Sequence, residues 1–127
     1  MLIQFMSKKI LTIEDDSFLR GLEMKKLAKD GYEVISASTG DEAMKSIVLG
    51  GYSLILLDLM LPGVDGFEVL KTIRSTPVTQ NTPVIVFSNL AEEKDVEKAR
   101  GLGASDFMIK SNFTLEELSA KIKEMAL

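Results

Sequence analysis

Residues 54–57 read Leu-Ile-Leu-Leu and then stop on the carboxylate of Asp58. A strand with one wet face alternates apolar and polar residues, so four apolar residues in a row call for cover on both faces. Residues 83–87, Pro-Val-Ile-Val-Phe, have the same character. Strands covered on both faces belong to parallel sheets whose connections are helices, and this limits the chain to few architectures. It also poses a problem. An acid at the rim of such a core is costly unless other groups pair with it.

The rest of the chain supplies the alternation. Strand patterns fall at residues 9–13, 32–37, 54–58, 83–87 and 106–109. Helical patterns lie between them. The first opens near Asp16-Ser17, both good cap residues, and ends near Asp30-Gly31. The second covers 41–49, with Ala43, Met44, Ile47 and Val48 on one face. The third opens on Asp65 with Glu68 in a capping-box pattern and presents Phe67, Leu70 and Ile73. The fourth, 91–102, is poorly apolar, with Val96 and Ala99 as its clearest inward positions. Thr114 and Glu117 cap the fifth, whose stripe is Leu115, Leu118, Ile122 and Met125. A βα repeat of this kind closes through right-handed crossovers into a parallel sheet with helices on both faces.

At 127 residues the chain suits a single domain. Its formal charge of −4 argues against nucleic acid as a direct partner. No apolar run approaches the ~20 residues of a membrane span, and the opening MLIQFM is too short for a signal-peptide core. Residues 1–7 are read as a flexible leader, residues 8–127 as the domain, and the cytoplasm as the location. The chain has no cysteine and no histidine, which excludes thiolate nucleophiles, serine–histidine triads and any phosphohistidine step within it. Chemistry here falls to carboxylates, hydroxyls and lysines.

In doubly wound sheets, ligands bind beyond the carboxyl ends of the strands. Those ends carry Glu14-Asp15-Asp16, Asp58, Ser88 and Lys110. Each has a bland reading. The acids could cap the first helix, Ser88-Asn89 could cap the fourth, and Lys110 could be a solvated strand end. Asp58 is harder to dismiss, because the Leu-Pro-Gly at 61–63 that follows needs no cap there. Carboxylates gathered at one sheet edge repel, and a divalent cation relieves them. Hard oxygen donors in an open acidic site suit Mg²⁺, which usually serves phosphate chemistry. Lys110 and the Ser88 hydroxyl could then receive an anion, and Asp58 could act as a nucleophile forming an acyl phosphate.

The motifs KILTIEDD, LILLDLMLPGVDGFEVL, PVIVFSN and LGASDFMIK, at this spacing, resemble the receiver domain of two-component response regulators over about residues 8–126. The resemblance implies a flavodoxin-like (βα)5 fold with strand order 2-1-3-4-5. It matches Glu14 and Asp15 to the family's acidic pair, with Asp15 a direct Mg²⁺ ligand and Glu14 a ligand through water. It matches Asp58 to the phosphorylated aspartate and the Met60 backbone carbonyl to the third protein ligand. Ser88 corresponds to the hydroxyl that turns toward the phosphoryl group, Lys110 to the phosphate-pairing lysine, and Phe107 to the aromatic switch residue, where a plain core phenylalanine is the alternative. Three positions depart from the commonest pattern. Asn89 stands where a small residue is usual and is expected either to narrow access to Asp58 or to bond the phosphoryl group. Phe107 lacks a hydroxyl, and Ser111 replaces a proline.

The implied function is a phosphorylation-gated signalling switch rather than an enzyme with a separate substrate. A sensor histidine kinase or histidine phosphotransfer protein is the donor, and a protein target is met through the helix 4–strand 5–helix 5 face. A phosphorylation-dependent dimer belongs to the same picture, and no output domain is expected within these residues. The alternatives are a receiver that acts only as a scaffold and an aspartyl-phosphate phosphatase. The latter would resemble DxDx(T/V), and Met60 breaks that pattern.

Overall fold

The computed structural model describes residues 7–127, so the leader expected at 1–7 lies, except for Ser7, outside the described residues. Elements alternate along the chain: β1 (Lys9–Ile13), α1 (Ser17–Lys29), β2 (Glu33–Ala37), α2 (Gly40–Ile47), β3 (Leu54–Leu57), α3 (Gly66–Ser75), β4 (Val84–Ser88), α4 (Glu93–Gly101), β5 (Asp106–Ile109) and α5 (Leu115–Met125). The strands form one parallel sheet in the order β2-β1-β3-β4-β5. This is the flavodoxin-like arrangement expected from the sequence.

Alternation along the strands divides the core. Leu11, Ile13, Ile55, Leu57, Val84 and Val86 face α2, α3 and α4. Ile10, Leu54, Leu56, Ile85 and Phe87 face α1 and α5. All four residues of β3 are buried, which is why its sequence shows no polar alternation. Among the described residues, no helix is long and apolar enough to cross a membrane.

Local rules account for most helix boundaries. The Asp16 side chain accepts from the Phe18 and Leu19 N–H groups and so caps α1. The Thr114–Glu117 capping box forms in both directions. At Asp65 the cap is one-way: its carboxylate accepts from the Phe67 and Glu68 N–H groups. α2 ends at Ile47, so Val48 falls outside the helix and is 62% exposed rather than inward. α4 begins at Glu93 and is not capped by Ser88-Asn89; the Glu92 N–H donates to Asp95 Oδ2 at 3.2 Å. That bond turns Asp95 inward beside Ala99, while Val96 is only half-buried.

Candidate functional site

The sheet register brings the strand ends together. Ile13 pairs with Leu57, and the Asp58 N–H donates to the Ile13 carbonyl at 3.0 Å, so Glu14 and Asp58 leave neighbouring strands side by side. On the other flank Ser88 pairs with Ile109, which places Lys110 one residue beyond. Gly66 makes the approach from below possible. A Cβ there would sit 2.3 Å from Leu59 Cα, and its N–H donates to the Leu59 carbonyl at 3.1 Å, pinning the chain just after Asp58 against the start of α3.

Asp58 is 4% exposed and each of its oxygens has a partner. Oδ1 accepts from Ser88 Oγ at 2.7 Å and from the Met60 N–H at 3.0 Å. Oδ2 meets Lys110 Nζ at 2.6 Å. The same ammonium reaches Glu14 Oε1 at 2.7 Å, and Glu14 Oε2 accepts the Asp16 N–H at 3.1 Å. These contacts answer the problem posed by the sequence: a buried acid at the rim is held by a lysine, a hydroxyl and a backbone amide.

Glu14 is 2% exposed, and burial raises its carboxyl above the usual range; the Lys110 bond pulls it back without cancelling that effect, and the nearby Asp58 charge adds to it. Burial alone would lower the Lys110 ammonium, but its bonds to Asp58 and Glu14 prevail and raise it. Ligand atoms of Glu14, Asp15 and Asp58 lie within 4.8 Å of one another. Three carboxylates against one ammonium leave two formal negative charges, and the donors are all hard oxygens. The set therefore fits a divalent cation such as Mg²⁺.

An open pocket of ≈ 660 Å³ lies over these groups, with Met60 and Leu90 on its walls. Met60 is exposed and lines it beside Asp58. Phe107 is half-buried against the core on the α4 side of the sheet. Asn89 does not line the pocket. Its Oδ1 accepts the Ser111 N–H at 3.0 Å. The described residues contain no cis peptide bond, and 110–112 form a 3₁₀ turn.

Two residues escaped the sequence reading. Arg20 donates from Nη1 to the Glu14 carbonyl at 3.0 Å and steadies the acidic strand exit. Its position one turn into α1, four residues past the Asp16 cap, was the available signal. Glu23 is 2% exposed on α1, with neither oxygen bonded to a protein partner. Burial and the Glu14 charge push its carboxyl up to about 8. In sequence it reads as an ordinary polar helix residue.

The fold and the site place the chain among doubly wound α/β domains with an acidic, lysine-bridged pocket at the carboxyl edge of the sheet. Within that class, residues 10–123 match the response regulator receiver domain, and the chain belongs to that family of two-component signalling proteins. It is 38% identical over 118 residues to the alkaline phosphatase synthesis transcriptional regulatory protein PhoP of Bacillus subtilis, covering 93% of this chain and 48% of that protein. The chain thus spans about half the length of the curated relatives it matches. Among solved structures, it superposes with a TM-score of 0.84 on the receiver domain of a Pseudomonas aeruginosa sensor histidine kinase, determined with a magnesium ion in the active-site cleft; identity is 27%, covering 94% and 97% of the two chains. The beryllofluoride-activated receiver domain of Klebsiella pneumoniae RstA gives a TM-score of 0.83 at 28% identity, covering 93% and 97%.

Proposed function

We propose that residues 8–127 act as a phosphorylation-gated switch in which Asp58 accepts a phosphoryl group from a sensor histidine kinase or a histidine phosphotransfer protein. The observation that carries this reading is the convergence of Lys110, Ser88 and the two acids on one buried carboxylate. In the transfer, an Asp58 oxygen attacks phosphorus in line with the donor imidazole. The P–N bond breaks, its electron pair stays on nitrogen, and the new P–O bond makes an acyl phosphate. Lys110 and Ser88, already within hydrogen-bond distance of Asp58, turn their donors to the phosphoryl oxygens.

Glu14, Asp15, Asp58 and the Met60 backbone carbonyl are the groups to hold Mg²⁺, which when bound supplies positive charge against the phosphoryl oxygens. Withdrawal of Ser88 from Asp58 would then pull on the β4–α4 loop and bias the face made by α4, β5 and α5, with Phe107 responding through packing. That face is where we place the downstream protein target and a phosphorylation-dependent dimer, in the cytoplasm. The test is incubation with acetyl phosphate and Mg²⁺, read by intact mass. One phosphoryl mass is expected on the parent and none on Asp58→Asn; equal labelling of the two would refute the assignment.

A further inference from the structure

The two loop residues that depart from the receiver pattern, Asn89 and Ser111, lie 22 positions apart in sequence and meet in the fold. The reason is local. The amides that open a 3₁₀ turn have no acceptor within it, and Ile109, preceding the turn at 110–112, offers no side-chain cap. Asn89 Oδ1 provides the acceptor from the neighbouring loop. A proline at 111 would have no N–H to satisfy, and a glycine or alanine at 89 would have no side-chain acceptor to offer. The two departures therefore compensate one another.

Their placement gives the bond a consequence. Asn89 follows Ser88 and Ser111 follows Lys110, and these are the two residues whose side chains hold opposite oxygens of Asp58 at 2.7 and 2.6 Å. Ser88 Oγ also accepts the Leu90 N–H at 3.2 Å, so the stretch 88–90 is tied inward at its first residue and sideways at its second. We propose that the Asn89–Ser111 hydrogen bond is a clasp that fixes the β4–α4 loop against the β5–α5 loop and so sets the spacing of Ser88 and Lys110 around a phosphoryl group on Asp58. This rests on the phosphoacceptor reading of Asp58. Asn89 and Ser111 are positioning residues, acting through the hydroxyl and the ammonium that precede them. The β4–β5 ladder holds Ser88 beside Ile109, and without the clasp the loop residues just beyond that pair are less restrained, so fewer encounters find both donors in place.

The experiment compares acetyl phosphate loading, by intact mass with saturating Mg²⁺, for the parent, Asn89→Ala, Ser111→Pro and the double variant. A solvent-facing hydrogen bond is modest, so each single change should slow loading about two- to tenfold. The double variant should be no slower than the slower single, because both changes delete one bond. Amide exchange at Ser111 in the unphosphorylated protein reads the clasp directly. Exchange should be slow in the parent and in Asn89→Asp, which keeps the acceptor, and faster in Asn89→Ala. Parent-like loading of Asn89→Ala, independent losses that multiply in the double variant, or equal exchange in the parent and Asn89→Ala would each overturn the clasp. A parent that shows the exchange pattern but takes up no phosphoryl group would refute the phosphoacceptor reading, and the positioning role with it.

Discussion

Replacing Glu23 with methionine should stabilise the protein, and the gain should grow as the pH is raised from 5 to 8. Glu23 is 2% exposed, neither oxygen has a protein partner, and a cavity of only ≈ 10 Å³ lies beside it, lined by Lys26, Leu118 and Ser119 among others. Burial, with the Glu14 charge adding to it, pushes the carboxyl from 4.5 up to about 8, so the folded protein keeps this proton through neutrality. The unfolded chain releases it near the ordinary value. Between the two values the unfolded state binds fewer protons than the folded one, so the Glu23 contribution to folding stability is most favourable below about pH 4.5 and falls as pH rises toward 8, by about 1.4 kcal/mol per pH unit. From pH 5 to 8 this amounts to about 4 kcal/mol, a large part of a stability of about 5–15 kcal/mol. Methionine fills a similar volume without the ionisable group. Urea unfolding of both proteins at pH 5, 6, 7 and 8 isolates the effect, because the other titrations largely cancel in the difference. A gap that stays the same across this range would mean that Glu23 ionises normally in the folded state, and the burial argument would be wrong.

Asp15→Asn should weaken Mg²⁺ binding by calorimetry more than Asp16→Asn does, because Asp15 belongs to the acidic cluster while Asp16 caps α1; Asp16→Ala should instead cost about 1 kcal/mol of stability. Met60 and Leu90 line the pocket over Asp58 and carry no group able to hold a water, so Met60→Asn and Leu90→Glu should each shorten the life of the acyl phosphate in Mg²⁺ buffer; decay no faster than in the parent would remove them from control of hydrolysis. Arg74 ties the end of α3 to the α4–β5 loop through Nε to the Gly103 carbonyl at 2.9 Å and to the α3–β4 loop through Nη1 to the Thr82 carbonyl at 2.7 Å, so Arg74→Ala should cost about 2–4 kcal/mol in urea unfolding and speed amide exchange around residues 102–105. Beryllofluoride with Mg²⁺ should change amide exchange most across residues 89–111, with residues 17–50 little affected.

The sequence by itself determined the elements and their order. Strand character was legible in the unbroken apolar runs of β3 and β4, and helix starts at Asp16, Asp65 and Thr114, because a cap or a periodicity depends on residues within a few positions. The same locality exposed Asp58, an acid that no nearby residue could account for. Only the tertiary structure decided how the strand ends engage one another. Lys110 forks between Asp58 and Glu14 because parallel register brings three distant strand exits to one edge. Asn89 meets Ser111 because one unpartnered amide of a 3₁₀ turn lies beside the neighbouring loop. Asp95 displaced Val96 as the inward residue of α4 because a capping bond at Glu92 set the start and phase of a helix whose apolar stripe was too thin to do so. Glu23 became a buried acid because α5 covers the face of α1 that carries it, and the cover comes from residues 115–119, beyond the reach of any periodicity read along α1.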